Sequence, residues 1–236
     1  MFLYPLLLIV GEEMRLLILS DVHYPIGSMD EVKKIIRKTN PDDVAFLGDN
    51  IDPRNGEDAV AVYRRFVALI SGVFPISRTI LMLGDGDYLF QGKKGAVLRY
   101  VNSLKTANAD HLVYRKGNMV FSHGNVERSR HLERMGKSIV EFSVSRRIHR
   151  IIPVLVAFWA RMSLHARRGD YLFLGHIHFL GKSEINRTTF CGTLNRNASY
   201  FAEESLGYVI VEHEHFTLDS MDSIHTVGLN LPAASK

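Results

Sequence analysis

The stretch RLLILSDVH, residues 15–23, is a run of apolar residues that ends in an aspartate and a histidine. Four later stretches have the same form: DDVAFLGDN (42–50), TILMLGDGD (79–87), NMVFSHG (118–124) and DYLFLGHIH (170–178). Short apolar runs of this kind are typical of strands buried in a parallel sheet. Open α/β sheets place their sites at the carboxyl edge of such strands. The pattern therefore predicts an α/β fold with acidic and imidazole side chains along one sheet edge.

The residues that follow these runs are of the types that bind divalent metals. Aspartate and neutral histidine suit manganese, iron, nickel or zinc, and two such ions that share a carboxylate form a hydrolytic centre. Several carboxylates at one edge would repel one another without a cation. We therefore predict a metal site from the following residues: Asp21, His23, Asp49, Asp85, His123, His176 and His178.

Five short motifs occur in a fixed order: SDVH, GDNID, GDGD, SHG and GHIH, between residues 20 and 178. In this order they resemble the motifs of the calcineurin-like metallophosphoesterases, D-x-H, G-D-x-x-D, G-N-H-D/E, H-G and G-H-x-H. Each motif is weak alone, but five in order are specific. The resemblance implies a four-layer αββα sandwich that hydrolyses phosphate esters with two divalent metal ions. The candidate metals are manganese, iron, nickel and zinc.

The resemblance also implies a role for each residue. The first metal would be held by Asp21, His23 and His178, and the second by Asp85, His123 and His176, with Asp49 bridging the two. Catalysis would then depend on Asp49, Asp85 and His123, and a metal-activated hydroxide would attack a phosphodiester, phosphomonoester or pyrophosphate. Two further residues are assigned to substrate binding: Asp87, just beyond the metals, and Asn125, after the SHG turn.

The third motif departs from the family pattern. Gly86 stands where the family has a histidine that meets or protonates the leaving oxygen, and Asp85 replaces the asparagine. Small phosphodiesterases of this family that read G-N-x-D remain enzymes, whereas the retromer subunit reads G-D-F-D and is regarded as a scaffold. The complete ligand set favours an enzyme. The alternative is a non-catalytic metal-binding scaffold that binds a protein partner through an apolar insert.

Domain organisation is predicted to be simple. The 236 residues contain no linker or repeat, so residues 14–236 are predicted to form one metallophosphoesterase domain. Residues 1–13 are interpreted as an extension, either from an upstream start codon or as a hydrophobic anchor or packing segment. Cys191 is the only cysteine, which excludes an intrachain disulfide and favours the cytoplasm.

An insert at residues 126–170 carries ten Lys or Arg and four Asp or Glu, whereas the whole chain has a net charge of +4. Within it, an apolar stretch from Ile151 to Ala160 lies between arginines at both ends, over residues 146–168. This pattern is typical of a helical cap on an anionic membrane surface or an amphipathic substrate. The stretch is too short to span a bilayer, which needs about 20 residues.

Two alternatives for the insert stay open, and one class of partner is disfavoured. The insert could instead be a helical hairpin that packs on the core or on a second subunit in a homodimer. A lipid A pathway hydrolase of the same family also inserts helices here, which favours a similar architecture. Nucleic-acid binding is disfavoured because the chain outside the insert is acidic and no basic stripe with interleaved aromatic residues occurs.

Overall fold

The structure is a computed structural model that describes residues 14–53, 56–89, 95–104, 113–124, 152–195, 206–212 and 215–220. The predictions for residues 1–13, for most of the insert (126–151) and for Asn125 concern residues outside these ranges. The strands are β1 Arg15–Leu19, β2 Asp43–Phe46, β3 Thr79–Leu81, β4 Tyr114–Lys116, β5 Met119–Ser122, β6 Tyr171–Leu174, β7 Leu180–Ser183, β8 Thr188–Cys191, β9 Gly207–Glu212 and β10 His215–Ser220. The α-helices are α1 Met29–Thr39, α2 Ala59–Ser71, α3 Gly86–Leu89, α4 Ala96–Ser103 and α5 Ile152–Ser163.

The strands form two five-stranded mixed sheets. The first has the order β10-β9-β1-β2-β3, and the second has the order β4-β5-β6-β8-β7. In the first sheet β1, β2 and β3 are parallel, with Ile18 opposite Ala45. In the second sheet β5, β6 and β8 are parallel. The five apolar runs singled out in the sequence therefore form β1, β2, β3, β5 and β6, five of the six parallel strands, and their carboxyl ends carry the predicted ligands.

The two sheets pack face to face, and strand β1 shows how each strand serves two cores. Leu16 and Ile18 point into the layer between the sheets, where they meet Phe121 and Phe173 of the second sheet. The rings of Phe121 and Phe173 are stacked with centroids 5.1 Å apart. Alternate residues of a strand face opposite sides of a sheet, so Leu17 and Leu19 face the helices instead.

Helices α1, α2 and α4 cover the outer face of the first sheet. Helix α1 begins at Ser28, whose hydroxyl accepts a hydrogen bond from the backbone N–H of Glu31 at 3.2 Å. Helix α2 begins at Asp58, whose carboxylate accepts from the backbone N–H of Val60 at 3.1 Å. Such caps satisfy backbone donors that have no partner within the helix.

Helix α5 forms the fourth layer. Ala157 and Ala160 within the helix and Leu164 just after it pack on Leu172 and Phe190 of the second sheet's outer face. The four-layer αββα sandwich is therefore confirmed. In the described part of the insert, α5 packs on the core through Ala157 and Ala160, and the cap over a membrane or substrate stays a prediction. None of the helices in the described ranges combines the length and apolar character needed to cross a membrane.

The C-terminal end of α5 is anchored by an arginine. The guanidinium of Arg161 donates hydrogen bonds to the carbonyl oxygens of Asp170 and Asn186, both at 2.9 Å, and of Arg167. The carboxylate of Asp170 in turn pairs with Arg115 at 2.8 Å. Arg161 is one of the arginines at the ends of the apolar stretch, for which the sequence pattern predicts contact with a membrane or substrate. Its contacts instead bind the helix end to the strands beneath it.

We predict that Ala157→Asp lowers the free energy of unfolding by about 3 kcal/mol or more, because it buries an unpaired carboxylate between α5 and the second sheet. The matched control is Leu155→Asp, two residues earlier on the same helix, where the side chain is 58% exposed. The control should change the stability by no more than about 0.5 kcal/mol. Urea unfolding followed by circular dichroism measures both. Equal effects of the two substitutions would contradict the packing of α5 as an outer layer.

Candidate metal centre

The seven predicted ligands meet at one edge of the sandwich, in the loops that follow β1, β2, β3, β5 and β6. They form two groups, within each of which the nitrogen and oxygen donor atoms lie within 4.8 Å of one another. The first group is Asp21, His23 and His178, and the second is Asp49, Asp85, His123 and His176. Each group offers carboxylate oxygen and imidazole nitrogen, which is the donor set of a borderline divalent cation.

The first group is centred on the buried carboxylate of Asp21. Its Oδ2 accepts hydrogen bonds from the hydroxyl of Ser20 and from the backbone N–H of His176 at 3.0 Å. Its Oδ1 lies 3.1 Å from Nε2 of His178 but has no aligned hydrogen-bond donor among the described residues. Nε2 of His178 is also 3.4 Å from Nε2 of His23. A buried oxygen without a donor, facing two imidazole nitrogens, fits a bound cation.

The second group is centred on His123 and Asp85. Nε2 of His123 lies 3.1 Å from Oδ1 of Asp85 and 3.3 Å from Oδ1 of Asp49. The same Oδ1 of Asp85 is 3.1 Å from Nδ1 of His176. The backbone N–H of Gly86 donates to Oδ1 of Asp49 at 2.7 Å, which fixes the orientation of that carboxylate.

Neighbouring groups hold the carboxylates of Asp21 and Asp85 and the imidazole of His123 in their charged forms. Burial alone would raise the pKa of Asp21, but the charge of His178, whose Nε2 lies 3.1 Å from Oδ1, holds that pKa well below its usual value. Burial acts in the same direction on Asp85, where hydrogen bonds from His123 and His176 outweigh it and lower the pKa. Burial would lower the pKa of His123, but Asp49 and Asp85 raise it well above its usual value. The site is therefore a concentrated set of ionised carboxylates that attracts positive charge.

The backbone turns sharply at most of the ligands. Five of them have positive φ angles: Asp21 (52°), His23 (51°), Asp49 (48°), His176 (68°) and His178 (49°). Residues other than glycine seldom adopt this left-handed conformation, which costs of order 1–3 kcal/mol for each residue. Backbone strain of this kind persists where surrounding contacts fix it, and it is common at functional sites.

Contacts between the loops fix these turns. The backbone N–H of Asp21 donates to the carbonyl of Gly48 at 3.1 Å, and the N–H of His23 donates to the carbonyl of Asp49 at 2.9 Å. On the other side, the hydroxyl of Thr193 donates to the carbonyl of Asp21 at 2.8 Å. The Asp21 loop is therefore held both by the loop after β2 in its own sheet and by the second sheet.

Glycine is required where two of these loops touch. A Cβ atom on Gly84 would lie 2.1 Å from Oδ1 of Asp49 and 2.4 Å from its backbone nitrogen. Gly48 has a φ of 113°, and a Cβ there would lie 2.6 Å from the backbone nitrogen of Gly84. These contacts explain why glycine precedes the aspartate in both GDNID and GDGD.

The structure places Asp87 outside both ligand groups. Its side chain is 1% exposed, and its carboxylate accepts backbone hydrogen bonds from Gly84 (2.9 Å), Ile51 (3.0 Å) and Asn50 (3.3 Å). Burial and the charge of Asp49 raise the pKa of Asp87 to about 8, against the pull of these hydrogen bonds. The contacts join the loop after β2 to the loop after β3.

Sequence reasoning missed three polar residues that support the ligands. Asn50 donates from its side chain to the carbonyl of Met82 at 2.7 Å and to the hydroxyl of Tyr63 at 3.1 Å. Ser20 and Thr193 hold Asp21 from its two sides. Two of them could have been found from their positions in the sequence, because Ser20 and Asn50 each adjoin a predicted ligand at the end of an apolar run. Thr193 is far from any motif and gave no such signal.

Comparison with known families decides the classification. The family model described as calcineurin-like phosphoesterase matches residues 14–190. The chain belongs to this family. As a calcineurin-like phosphoesterase it is a metal-dependent phosphoric ester hydrolase, and its aspartate and histidine groups could bind the metal. Comparison with curated proteins gives no match.

Three solved structures are similar to this chain at low sequence identity. Yfce, a phosphoesterase from E. coli, is 12% identical with a TM-score of 0.53, and the alignment covers 92% of this chain and 100% of Yfce. An archaeal phosphodiesterase is 13% identical with a TM-score of 0.49, covering 92% of this chain and 100% of that one. A metallophosphoesterase from Sphaerobacter thermophilus is 16% identical with a TM-score of 0.47, covering 87% of each chain.

We predict that Asp87→Asn destabilises the metal-free protein at pH 5 by about 1–3 kcal/mol. An amide has one acceptor oxygen, so either the N–H of Ile51 or that of Gly84 would face its NH₂ group. Asp58→Asn is the matched control, because asparagine caps a helix as well as aspartate does. Urea unfolding after metal removal measures both variants, and an unchanged midpoint for Asp87→Asn would contradict the buried contacts.

The loss of stability caused by Asp87→Asn should become smaller as the pH rises from 5 to 8. The folded protein keeps a proton on Asp87 up to about pH 8, whereas the unfolded chain loses it near the ordinary value of 3.8. Between these values the folded state binds more protons, so this group's contribution to the stability of the unsubstituted protein falls with pH. The asparagine variant has no such titration. If the stability difference between Asp87→Asn and the unsubstituted protein grew over this pH range, the raised pKa of Asp87 would be contradicted.

Proposed function

We propose that this protein hydrolyses phosphate esters at a dinuclear metal centre. The first ion would be held by Asp21, His23 and His178 and the second by Asp85, His123 and His176, and Asp49 would be shared between them. The observation that carries the proposal is that the two donor groups are adjacent and physically linked. The backbone of His176 in the second group donates to the carboxylate of Asp21 in the first, at 3.0 Å.

The donor chemistry supports a borderline divalent ion in each group. Three carboxylates and four imidazoles suit manganese, iron, nickel or zinc better than magnesium or calcium, which prefer oxygen ligands throughout. A pair of such ions bound there would polarise the phosphoryl oxygens and lower the pKa of a bound water. We propose a phosphodiester, phosphomonoester or pyrophosphate as the substrate.

The protein's own groups fix the geometry that such chemistry needs. The N–H of Gly86 orients Asp49, and the N–H of His176 together with the hydroxyl of Ser20 orients Asp21. Ligands held by such contacts keep their direction, which a reacting centre requires. The left-handed backbone of five ligands is consistent with a preorganised site.

The third motif narrows the proposed substrate class. Gly86 has no side chain, and the carboxylate of Asp87 is turned toward the backbone of Ile51 and Gly84. Within the described residues the third motif therefore offers no side chain to protonate a leaving oxygen. We favour substrates whose leaving group is stable as an anion, such as phosphoanhydrides and esters of acidic alcohols.

A non-catalytic scaffold remains the second candidate because of the same motif. Asp85 adds a negative charge that would bind cations firmly and reduce their Lewis acidity. A scaffold of this kind would contain metal but show no turnover. The exposed part of α5 would then serve as its partner-binding surface.

We predict that metal-stripped protein regains hydrolysis of an aryl phosphodiester or an aryl phosphomonoester when manganese, nickel, iron or zinc is added. Asp49→Asn should lower this activity by more than about a hundredfold, because the amide removes the bridging charge. Asp58→Asn, a surface substitution of the same chemistry at a helix cap, should leave the activity unchanged. Initial rates and metal content by mass spectrometry measure the effect.

The outcomes separate the two candidates. Turnover that requires metal and is lost in Asp49→Asn supports the dinuclear enzyme, and the ratio of the two ester rates assigns the substrate class. Undiminished turnover in Asp49→Asn would rule out the proposed mechanism. Metal bound at two equivalents without turnover on either ester or on an inorganic pyrophosphate would support the scaffold.

A further inference from the structure

Helix α5 has a second apolar face that no described residue covers. While Ala157 and Ala160 pack on the second sheet, several large apolar side chains of the same helix are exposed. Their exposed fractions are 41% for Val154, 58% for Leu155, 59% for Phe158, 37% for Trp159 and 60% for Met162. We call these five side chains the outer ridge. Their spacing places them on one side of the helix.

The turn between β7 and β8 extends the outer ridge. Ile185 at this turn is 91% exposed, and its neighbour Asn186 donates from its side chain to the carbonyl of Val154 at 3.3 Å. The turn therefore lies beside the N-terminal end of α5. Contiguous exposed apolar surface of this kind marks an interaction site in proteins that remain soluble.

The charge near the outer ridge indicates what kind of partner binds there. Residues 142–169 include six arginines and no aspartate or glutamate. Two of these arginines, Arg167 and Arg168, lie just after α5 and are exposed. Outside the insert the chain has more acidic than basic residues, so its positive charge is concentrated in the insert, and Arg167 and Arg168 place part of that charge next to the C-terminal end of α5. The partner must therefore be apolar and anionic together.

We infer that the outer ridge docks the protein on an anionic lipid surface. A short helix that lies in the plane of a bilayer buries aromatic and aliphatic side chains at the headgroup level while arginines bind lipid phosphates. Phe158 and Trp159 supply the aromatic residues, and Arg167 and Arg168 supply the charge. A second copy of the chain fits less well, because it would bring two sets of arginines together.

Trp159 allows a direct test because it is the only tryptophan of the chain. The full-length protein is mixed with vesicles of phosphatidylcholine alone or with an equal part of phosphatidylglycerol. With the anionic vesicles, we expect the fluorescence of Trp159 to shift to shorter wavelength and to become protected from acrylamide. With neutral vesicles we expect neither effect at low salt, and 0.5 M salt should weaken the anionic binding.

Substitutions assign the binding to the ridge. Phe158→Asp should weaken vesicle cosedimentation roughly tenfold or more, since it removes an aromatic group that the bilayer would bury and adds a negative charge. Arg167→Gln and Arg168→Gln should each weaken it about fivefold. The matched control is Ile26→Ser, an exposed apolar residue outside α5, which should bind like the unsubstituted protein. Far-ultraviolet circular dichroism checks that each variant is folded.

Three results would overturn the inference. One is the absence of cosedimentation with anionic vesicles at low salt. Another is binding that Phe158→Asp and Ile26→Ser affect equally. The third is a shift of Trp159 fluorescence that depends on protein concentration without lipid, which would assign the ridge to a second copy. None of these results involves hydrolysis, so they leave the proposed enzymatic function untouched.

Discussion

The convergence of three carboxylates and four imidazoles at one sheet edge is the constraint on which the structure depends. The contacts of Asp21 show most clearly how this convergence is held in place. One of its oxygens is held by Ser20 and by the backbone of His176, while the other faces His178 without an aligned donor. Its carbonyl is held by Thr193 of the second sheet. The residue thus couples the two sheets and both ligand groups, so a displacement of either sheet would move the ligands.

The fold supplies the rigidity that this convergence requires. In the layer between the sheets, Leu16 and Ile18 of the first sheet pack against Phe121 and Phe173 of the second. Hydrogen bonds between the loops then fix the left-handed turns at Asp21, His23 and Asp49. The strain at these turns is tolerated because the contacts around them are numerous and buried. Bound metal would add a further attraction at the point where like charges otherwise meet.

The sequence predicted the parts that depend on local pattern. Apolar runs predicted the parallel strands, and ordered motifs predicted that Asp49, His123 and His176 would meet. It did not predict Thr193, because a contact between distant loops leaves no local pattern. Helix α5 shows a second limit: its residues are apolar on two sides, so periodicity alone could not separate the face on the sheet, with Ala157 and Ala160, from the exposed face. Small residues pack inside, and large residues face outward.

The third motif is best understood from the directions of its residues. The Asp85 carboxylate faces His123 and His176, and the Asp87 carboxylate is turned inward to Gly84 and Ile51. Gly86 lies between them, and a Cβ there would be only 3.0 Å from Oδ1 of Asp49, to which its own N–H donates. The missing side chain is therefore accompanied by a close backbone contact to the proposed bridging carboxylate. A pocket that no longer needed an oriented Asp49 would have no use for that contact, which favours an enzyme that manages without a proton donor at this position.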